Sequence, residues 1–345
     1  MLLLYVCLVW FSGKGMAEEN PGNWWDGWDQ YKGIAKIGQV ADPKEDAKKL
    51  HNAMEGWGAD KTTINNILTG RTNMQRQEIS SAYFNIYGED LITNLRNILE
   101  GDHQTLIISL MFEPNKFYGV QLHNAMQGLG TDESVISEIF ATHTPDKLSE
   151  IADIYEKEFH TTLMKDLEGD TSGSFLHLLK AIVQGERGDL STDVDEALVA
   201  TDVKTLHPAG VWMLGTYEEK FVDILGARSG RHLLRVCEEY EKQYGQSIEE
   251  GIKKETSYPF QELALALVSS TKNVYEYYAN QLHNAMEGLG TNENTLIRIC
   301  VGRSEIDLPY IKAKFEETFG ISLPKMVTEE TSGDFGSGLQ AVINS

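Results

Sequence analysis

The chain of 345 residues is 41% hydrophobic and 24% charged, the proportions of an ordinary globular protein, but it carries a formal charge of −22 at pH 7. A surface that acidic repels nucleic-acid phosphates and anionic lipid headgroups alike unless a multivalent cation stands between, so nucleic-acid binding is disfavoured and a cation requirement favoured. Cys7, Cys237 and Cys300 show neither a C-x-x-C nor the dense, even spacing of a disulfide framework, and read as free thiols.

Residues 1–40 form an N-terminal head. It opens with an apolar run over 1–11, too short for a helix across a bilayer, which takes about 20 residues. No Lys or Arg precedes that run and no N-x-S/T acceptor occurs in the chain. A cytoplasmic protein, peripheral on membranes, is therefore expected, and a secreted or cell-surface chain is the alternative if the run is a signal. The stretch 21–31 sets Trp24, Trp25 and Trp28 among Gly and Asp, aromatics that either dock on the core or await a protein partner.

Beyond the head, nearly the same nine residues recur: L-H-N-A-M-E-G-W-G from Leu50, L-H-N-A-M-Q-G-L-G from Leu122 and L-H-N-A-M-E-G-L-G from Leu282. A degenerate copy over 209–219 keeps Gly210, Gly215 and Thr216, and the last glycines of the four loops stand 72, 85 and 75 residues apart. Four repeats follow, over 41–112, 113–185, 196–270 and 271–345, with a linker at 186–195.

Within each unit the apolar period is helical. Ile79, Ala82, Tyr83, Ile86 and Tyr87 precede Gly88; Leu233, Val236, Cys237, Tyr240 and Tyr244 precede Gly245; Leu308, Ile311, Phe315 and Phe319 precede Gly320. Gaps at Gly101-Asp102 and Glu168-Gly169-Asp170 divide the units into about five helices each, and strand alternation is absent. The predicted fold class is all-α.

The loops carry the chemistry. Glycines two apart between helices let several carbonyl oxygens turn toward one point. Calcium takes six to eight oxygens at roughly 2.3 to 2.6 Å, and a carboxylate must complete the set. Forty residues beyond Gly130, Gly215 and Gly290 stand Asp170, Glu255 and Glu330, each followed by Thr-Ser. The same count from Gly58 lands on Ile98, and Ala59 replaces the Thr of the other loops. The repeat I site, Met54, Gly56 and Gly58, therefore reads as degraded, with Glu100 and Asp102 as nearby substitutes.

These motifs, with L-T-G-R-T-N-M-Q-R-Q-E-I from Leu68 and R-S-E-I-D-L from Arg303, resemble the annexins, calcium-dependent phospholipid-binding proteins, from Asp42 to the C-terminus. The resemblance implies a slightly curved disc of four five-helix repeats with calcium loops on its convex face. It places calcium on the carbonyls of Met126, Gly128 and Gly130 with Asp170; of Gly210, Met213 and Gly215 with Glu255; and of Met286, Gly288 and Gly290 with Glu330. Weaker secondary positions fall at Thr131 with Glu133, Thr216 with Glu218 and Thr291 with Glu293, whereas Lys61 breaks the pattern in repeat I. The function implied is calcium-dependent binding to anionic, phosphatidylserine-like membranes, with calcium bridging loop oxygens to lipid phosphates. The alternative is a helical scaffold that binds a protein partner through the Trp-rich head.

Trp57, Leu129, Leu214 and Leu289 occupy the loop tips, where an apolar side chain either packs down or dips into lipid. His51, His123 and His283 recur in separate repeats and cannot readily converge on one ion, so a place near a helix C-terminus explains them better. Arg71, Arg228 and Arg303, with His143 in the repeat II position, read as partners for carbonyls or acids. The chain has no G-x-S-x-G, H-E-x-x-H or P-loop, and no enzyme activity is expected.

Overall fold

The computed structural model describes residues 41–56, 58–185, 194–207, 218–288 and 290–345; the head, Trp57, most of the linker, the loop 208–217 and Leu289 lie outside them. Twenty helices fall into four sets of five. The first set is α1 (Pro43–Met54), α2 (Lys61–Thr69), α3 (Asn73–Tyr87), α4 (Leu91–Ile98) and α5 (Gly101–Met111). The second is α6 (Pro114–Ala125), α7 (Glu133–Thr142), α8 (Pro145–Phe159), α9 (Leu163–Asp170) and α10 (Gly173–Gln184). The third is α11 (Glu196–Leu206), α12 (Glu218–Leu225), α13 (Gly230–Tyr244), α14 (Ile248–Glu255) and α15 (Phe260–Lys272). The fourth is α16 (Val274–Asn284), α17 (Glu293–Arg303), α18 (Leu308–Phe319), α19 (Leu323–Glu330) and α20 (Gly333–Asn344). The fold is all-α, with no strand among the described residues.

Local chemistry sets the helix ends. Thr72 and Gln75 form a capping box at the start of α3, and Gly88 ends that helix in the left-handed conformation, at φ 71°. Gly245 and Gly320 end α13 and α18 in the same way, while His160 takes the left-handed turn after α8, at φ 57°. Two sequence expectations are displaced. The gaps placed at Gly101-Asp102 and Glu168-Gly169-Asp170 lie inside α5 and α9, and the breaks fall at 99–100 and 171–172, where the backbone turns extended. Thr171 closes its break by donating its hydroxyl to the carbonyl of Leu167 at 2.7 Å. Ile86, counted on the buried stripe of α3, is 41% exposed.

The repeats pack in pairs. In the first-with-fourth pair, α2 and α5 lie on α20 and α5 also meets α17; in the second-with-third pair, α7 lies on α15 and α10 on α12. Between the pairs α6 meets α17, and α7 and α17 exchange a buried ion pair. Arg298 donates to Glu138 through Nε at 2.9 Å and Nη2 at 2.8 Å, with both side chains almost wholly buried. Such a pair is strongly coupled to the fold because removing one partner strands the other charge without water.

The recurrent basic residues have structural roles. Arg71 donates to Asp46 from Nε at 2.7 Å, Arg228 to Asp202 at 2.8 Å and Arg303 to Asp307 at 2.7 Å. His143, which replaces the arginine in repeat II, is buried and donates Nδ1–H to the carbonyl of Ile139 at 2.8 Å. Burial first, then the charge of Arg303, pushes its imidazole down to about 3. Cys237 and Cys300 are buried free thiols, pushed up to about 12 by burial.

Glu138→Leu or Arg298→Met alone is expected to cost roughly 3–5 kcal/mol in denaturant unfolding, and the double apolar variant to recover most of it; additive losses in the double variant would contradict the pairing. His143 stays neutral when folded but takes a proton when unfolded below its ordinary value of 6.5. Its contribution to stability is therefore present above pH 6.5 and is lost as pH falls toward 3. His143→Gln is expected to flatten the fall of unfolding free energy over that acid window; an unchanged slope would contradict this.

Candidate calcium-loop site

Each loop is built from the helix that enters it. Near the ends of α1, α6 and α16, His51 stacks on Tyr87 at 3.8 Å, His123 on Phe159 at 3.8 Å and His283 on Phe319 at 3.9 Å between ring centroids. These histidines pin the entering helix to the third helix of its own repeat and do not approach one another. Repeat III holds a fourth member that the sequence reading missed, His207, stacked on Tyr244 at 3.5 Å. The signal was the pair Leu206-His207, which places the start of the degenerate copy before residue 209.

A common hydrogen bond closes the loops, and its donor also opens the next helix. The amide of Asp60 donates to Ala53 O, that of Asp132 to Ala125 O and that of Asn292 to Ala285 O, each at 2.8 Å. The side chains of Asp60, Asp132 and Asn292 then cap α2, α7 and α17. Between these fixed ends the paired glycines take φ values of 96° and 95° in repeat I, 96° and 90° in repeat II, and 103° and 95° in repeat IV. A Cβ at any of the six would meet no atom within 4 Å, so backbone conformation and not space demands glycine.

The carboxylates are brought to the loops by threonine. Thr131 donates its hydroxyl to the backbone carbonyl of Asp170 at 3.2 Å, and Thr291 does the same to Glu330 at 3.2 Å. The forty-residue offset thus joins two ends of one site. Asp170 and Glu330 are exposed at the last positions of α9 and α19. The Thr after each carboxylate hydrogen-bonds back into its helix: Thr171 to Leu167, Thr256 to Ile252 and Thr331 to Val327.

Repeat I keeps the backbone and lacks the oxygens. Its glycines match those of repeats II and IV, yet Ala59 has no hydroxyl to reach across and Ile98, half-buried, ends α4 where Asp170 ends α9. Lys61, where Glu133 and Glu293 stand in the other loops, pairs with Asp334 of α20 at 2.9 Å. Glu100 is the N-cap residue of α5 and Asp102 lies in its first turn.

In repeat III, Gly210, Met213, Leu214, Gly215 and Thr216 lie outside the described residues. The flanks meet through a different bond: Glu218 at the start of α12 accepts from the amide of Ser257 at 3.4 Å, two residues past Glu255. Leu129 is fully exposed between Gly128 and Gly130, whereas Met126 and Met286 are buried and leave only their backbones to the loops. Among the described residues, no three His, Cys, Asp or Glu side chains group as a metal cluster, and no helix is long and apolar enough to cross a membrane. Left-handed glycines, a closed turn and one exposed carboxylate per loop are the donor chemistry of a hard cation, and the described residues of repeats II and IV fit calcium.

The annexin family profile matches four times, over residues 45–110, 119–182, 202–267 and 277–342. Human annexin A8-like protein 1 is 42% identical over 323 residues, which cover 93% of this chain and 99% of that protein. The structure of a lysine-to-alanine variant of annexin A8 with an intact N-terminus superposes with a TM-score of 0.87 at 42% identity, covering 91% of this chain and 98% of that one. A calcium-bound annexin (Sm)1 superposes with a TM-score of 0.75 at 30% identity, covering 88% and 90%. With four matched repeats on this frame of helices, the chain belongs to the annexin family, whose members bind phospholipid in a calcium-dependent manner.

Proposed function

We infer that repeats II, III and IV each hold calcium between loop carbonyls and one carboxylate, and that repeat I does not. The observation that carries this reading is the threonine tie from the loops of repeats II and IV to the carboxylate end of the fourth helix of the same repeat. In repeat II the ligands are the carbonyls of Met126, Gly128 and Gly130 with Asp170; in repeat IV they are those of Met286, Gly288 and Gly290 with Glu330. Repeat III uses Gly210, Met213 and Gly215 with Glu255. Thr131 with Glu133, Thr216 with Glu218 and Thr291 with Glu293 supply weaker positions beside them.

Calcium on such a loop keeps coordination positions open for phosphate oxygens and cancels the repulsion between a lipid headgroup and a chain of charge −22. The loop residues do the rest. Carbonyl ligands add no charge, so one carboxylate per site leaves the loop cationic once loaded. Leu129 stands at the tip where it meets the acyl boundary, and Leu214, Leu289 and Trp57 hold the matching positions. This places the chain on anionic membranes when calcium rises and in the cytoplasm otherwise. The calcium-bound state of annexin (Sm)1 is consistent with the same chemistry.

Combining Asp170→Asn, Glu255→Gln and Glu330→Gln is expected to raise the calcium midpoint for sedimentation with phosphatidylserine vesicles by at least about ten-fold. An unchanged midpoint would refute the ligand assignment, and equal sedimentation of the wild-type chain in excess chelator would favour the scaffold reading with a protein partner. The converse change tests repeat I. Ile98→Glu is expected to add one bound calcium in equilibrium dialysis with vesicles, because the glycine backbone is already set; no gain in a folded variant would show that the Thr tie is also required.

A further inference from the structure

Tyr258 occupies a position that is glycine in the other repeats. It follows Glu255-Thr256-Ser257, where Gly101, Gly173 and Gly333 take φ values of 59°, 61° and 64° at the start of the fifth helix. Its ring is 64% exposed, yet its hydroxyl is engaged: it donates to Oε2 of Glu133, at the start of α7 in repeat II, at 2.7 Å. Glu133 is the carboxylate of the weaker calcium position in repeat II. A side chain of repeat III thus holds a candidate ligand of repeat II across the seam between them.

The other seams provide comparisons. At the seam between repeats IV and I, the residue after Gly333, Asp334, pairs with Lys61, which stands where Glu133 stands. At the return seam between repeats II and III, Ser174 and His177 of α10 reach Glu219 of α12 at 3.1 and 2.9 Å. The side chain of Glu293 in repeat IV makes no hydrogen bond or ion pair among the described residues. Residues at the start of a fifth helix therefore reach the start of a neighbouring second helix at three places, and only between repeats IV and I is the contact already a permanent cation, Lys61, on a carboxylate.

We propose that Tyr258 is a calcium-displaced latch on Glu133, which restrains the secondary site of repeat II and couples its filling to the seam with repeat III. This rests on the calcium reading above. The phenol hydrogen is the positive end of its bond and lies against the lone pairs that a cation needs at roughly 2.3 to 2.6 Å. It also ties the carboxylate to a residue that precedes α15. The local field favours a cation, since Asp132 and Glu133, after burial, hold the Glu262 carboxyl above its usual range. Calcium that takes Oε2 of Glu133 displaces the Tyr258 hydroxyl, and that tie between repeats II and III goes with it. In repeat IV, α17 packs on α5, which begins at Gly101, and among the described residues no such bond restrains the Glu293 side chain.

The test is lipid-free calcium calorimetry on the full chain carrying Asp170→Asn, Glu255→Gln and Glu330→Gln, so that only the weaker positions report. Adding Tyr258→Phe, which keeps the ring, is expected to tighten one calcium by ~3-fold, the size of a single exposed hydrogen bond. Adding Glu133→Gln is expected to remove that calcium, and Tyr258→Phe on top of Glu133→Gln to change nothing. Unchanged or weaker binding in Tyr258→Phe would overturn the latch, as would the same shift in the Glu133→Gln background or the absence of any calcium uptake. A parallel measurement of wild-type sedimentation with phosphatidylserine vesicles, with and without chelator, scores the membrane reading separately.

Discussion

Everything distinctive about this chain depends on one backbone constraint, the closed turn between the first and second helices of a repeat. Two left-handed glycines turn the carbonyls, and the amide of an Asp or Asn bonds back to the alanine of the incoming helix at 2.8 Å. The same Asp or Asn caps the outgoing helix. A stacked histidine fixes the incoming helix to the third helix, so the turn is held at both ends by groups that have no part in binding. Such a turn stays rigid at little cost, because the strain of positive φ is absent in glycine.

The turn and the carboxylate can be lost independently, and repeat I shows it. Its glycines have the geometry of the complete loops, while Ile98, Ala59 and Lys61 remove the carboxylate, the threonine tie and the secondary acid. Lys61 then closes an ion pair with Asp334, which supports the packing of repeat I on repeat IV. On the proposed reading, each calcium loop of a chain with charge −22 offsets a large repulsion before lipid contact is favourable. On that reading, repeat I without calcium contributes through Trp57, which the sequence puts between the loop glycines, or through the stability of the frame. The buried Arg298–Glu138 pair at the centre of the frame couples α17 to α7 and thereby repeat IV to repeat II.

Much of this was legible in the sequence because the array repeats its own evidence. One glycine pair after a helix is only a helix cap, whereas the same carboxylate offset three times marks a candidate site. The helical stripes before Gly88, Gly245 and Gly320 are equally plain, since period and terminator agree. What stayed hidden depends on contacts between repeats or on a single departure from the pattern. His207 sits in the degenerate copy, where only the pair Leu206-His207 marks it in the sequence, and its stack on Tyr244 makes its role plain. Tyr258 reads as a loop residue until its hydroxyl is found on Glu133, 125 positions away. The helix breaks near Gly101 and Asp170 were misplaced by one or two residues because glycine there begins or continues a helix. The Thr of each D/E-T-S motif marked the register, but its bond into the preceding helix is visible only in three dimensions.

The central claim is that the oxygens, and not the turn alone, decide where the cation goes. Anomalous diffraction from crystals of the full chain soaked in calcium tests it most directly. The account predicts strong peaks at the loops of repeats II, III and IV beside Asp170, Glu255 and Glu330, and none at Gly56 and Gly58. An equally strong peak in the repeat I loop, or an empty loop beside Asp170 or Glu330 at saturating calcium, would contradict it.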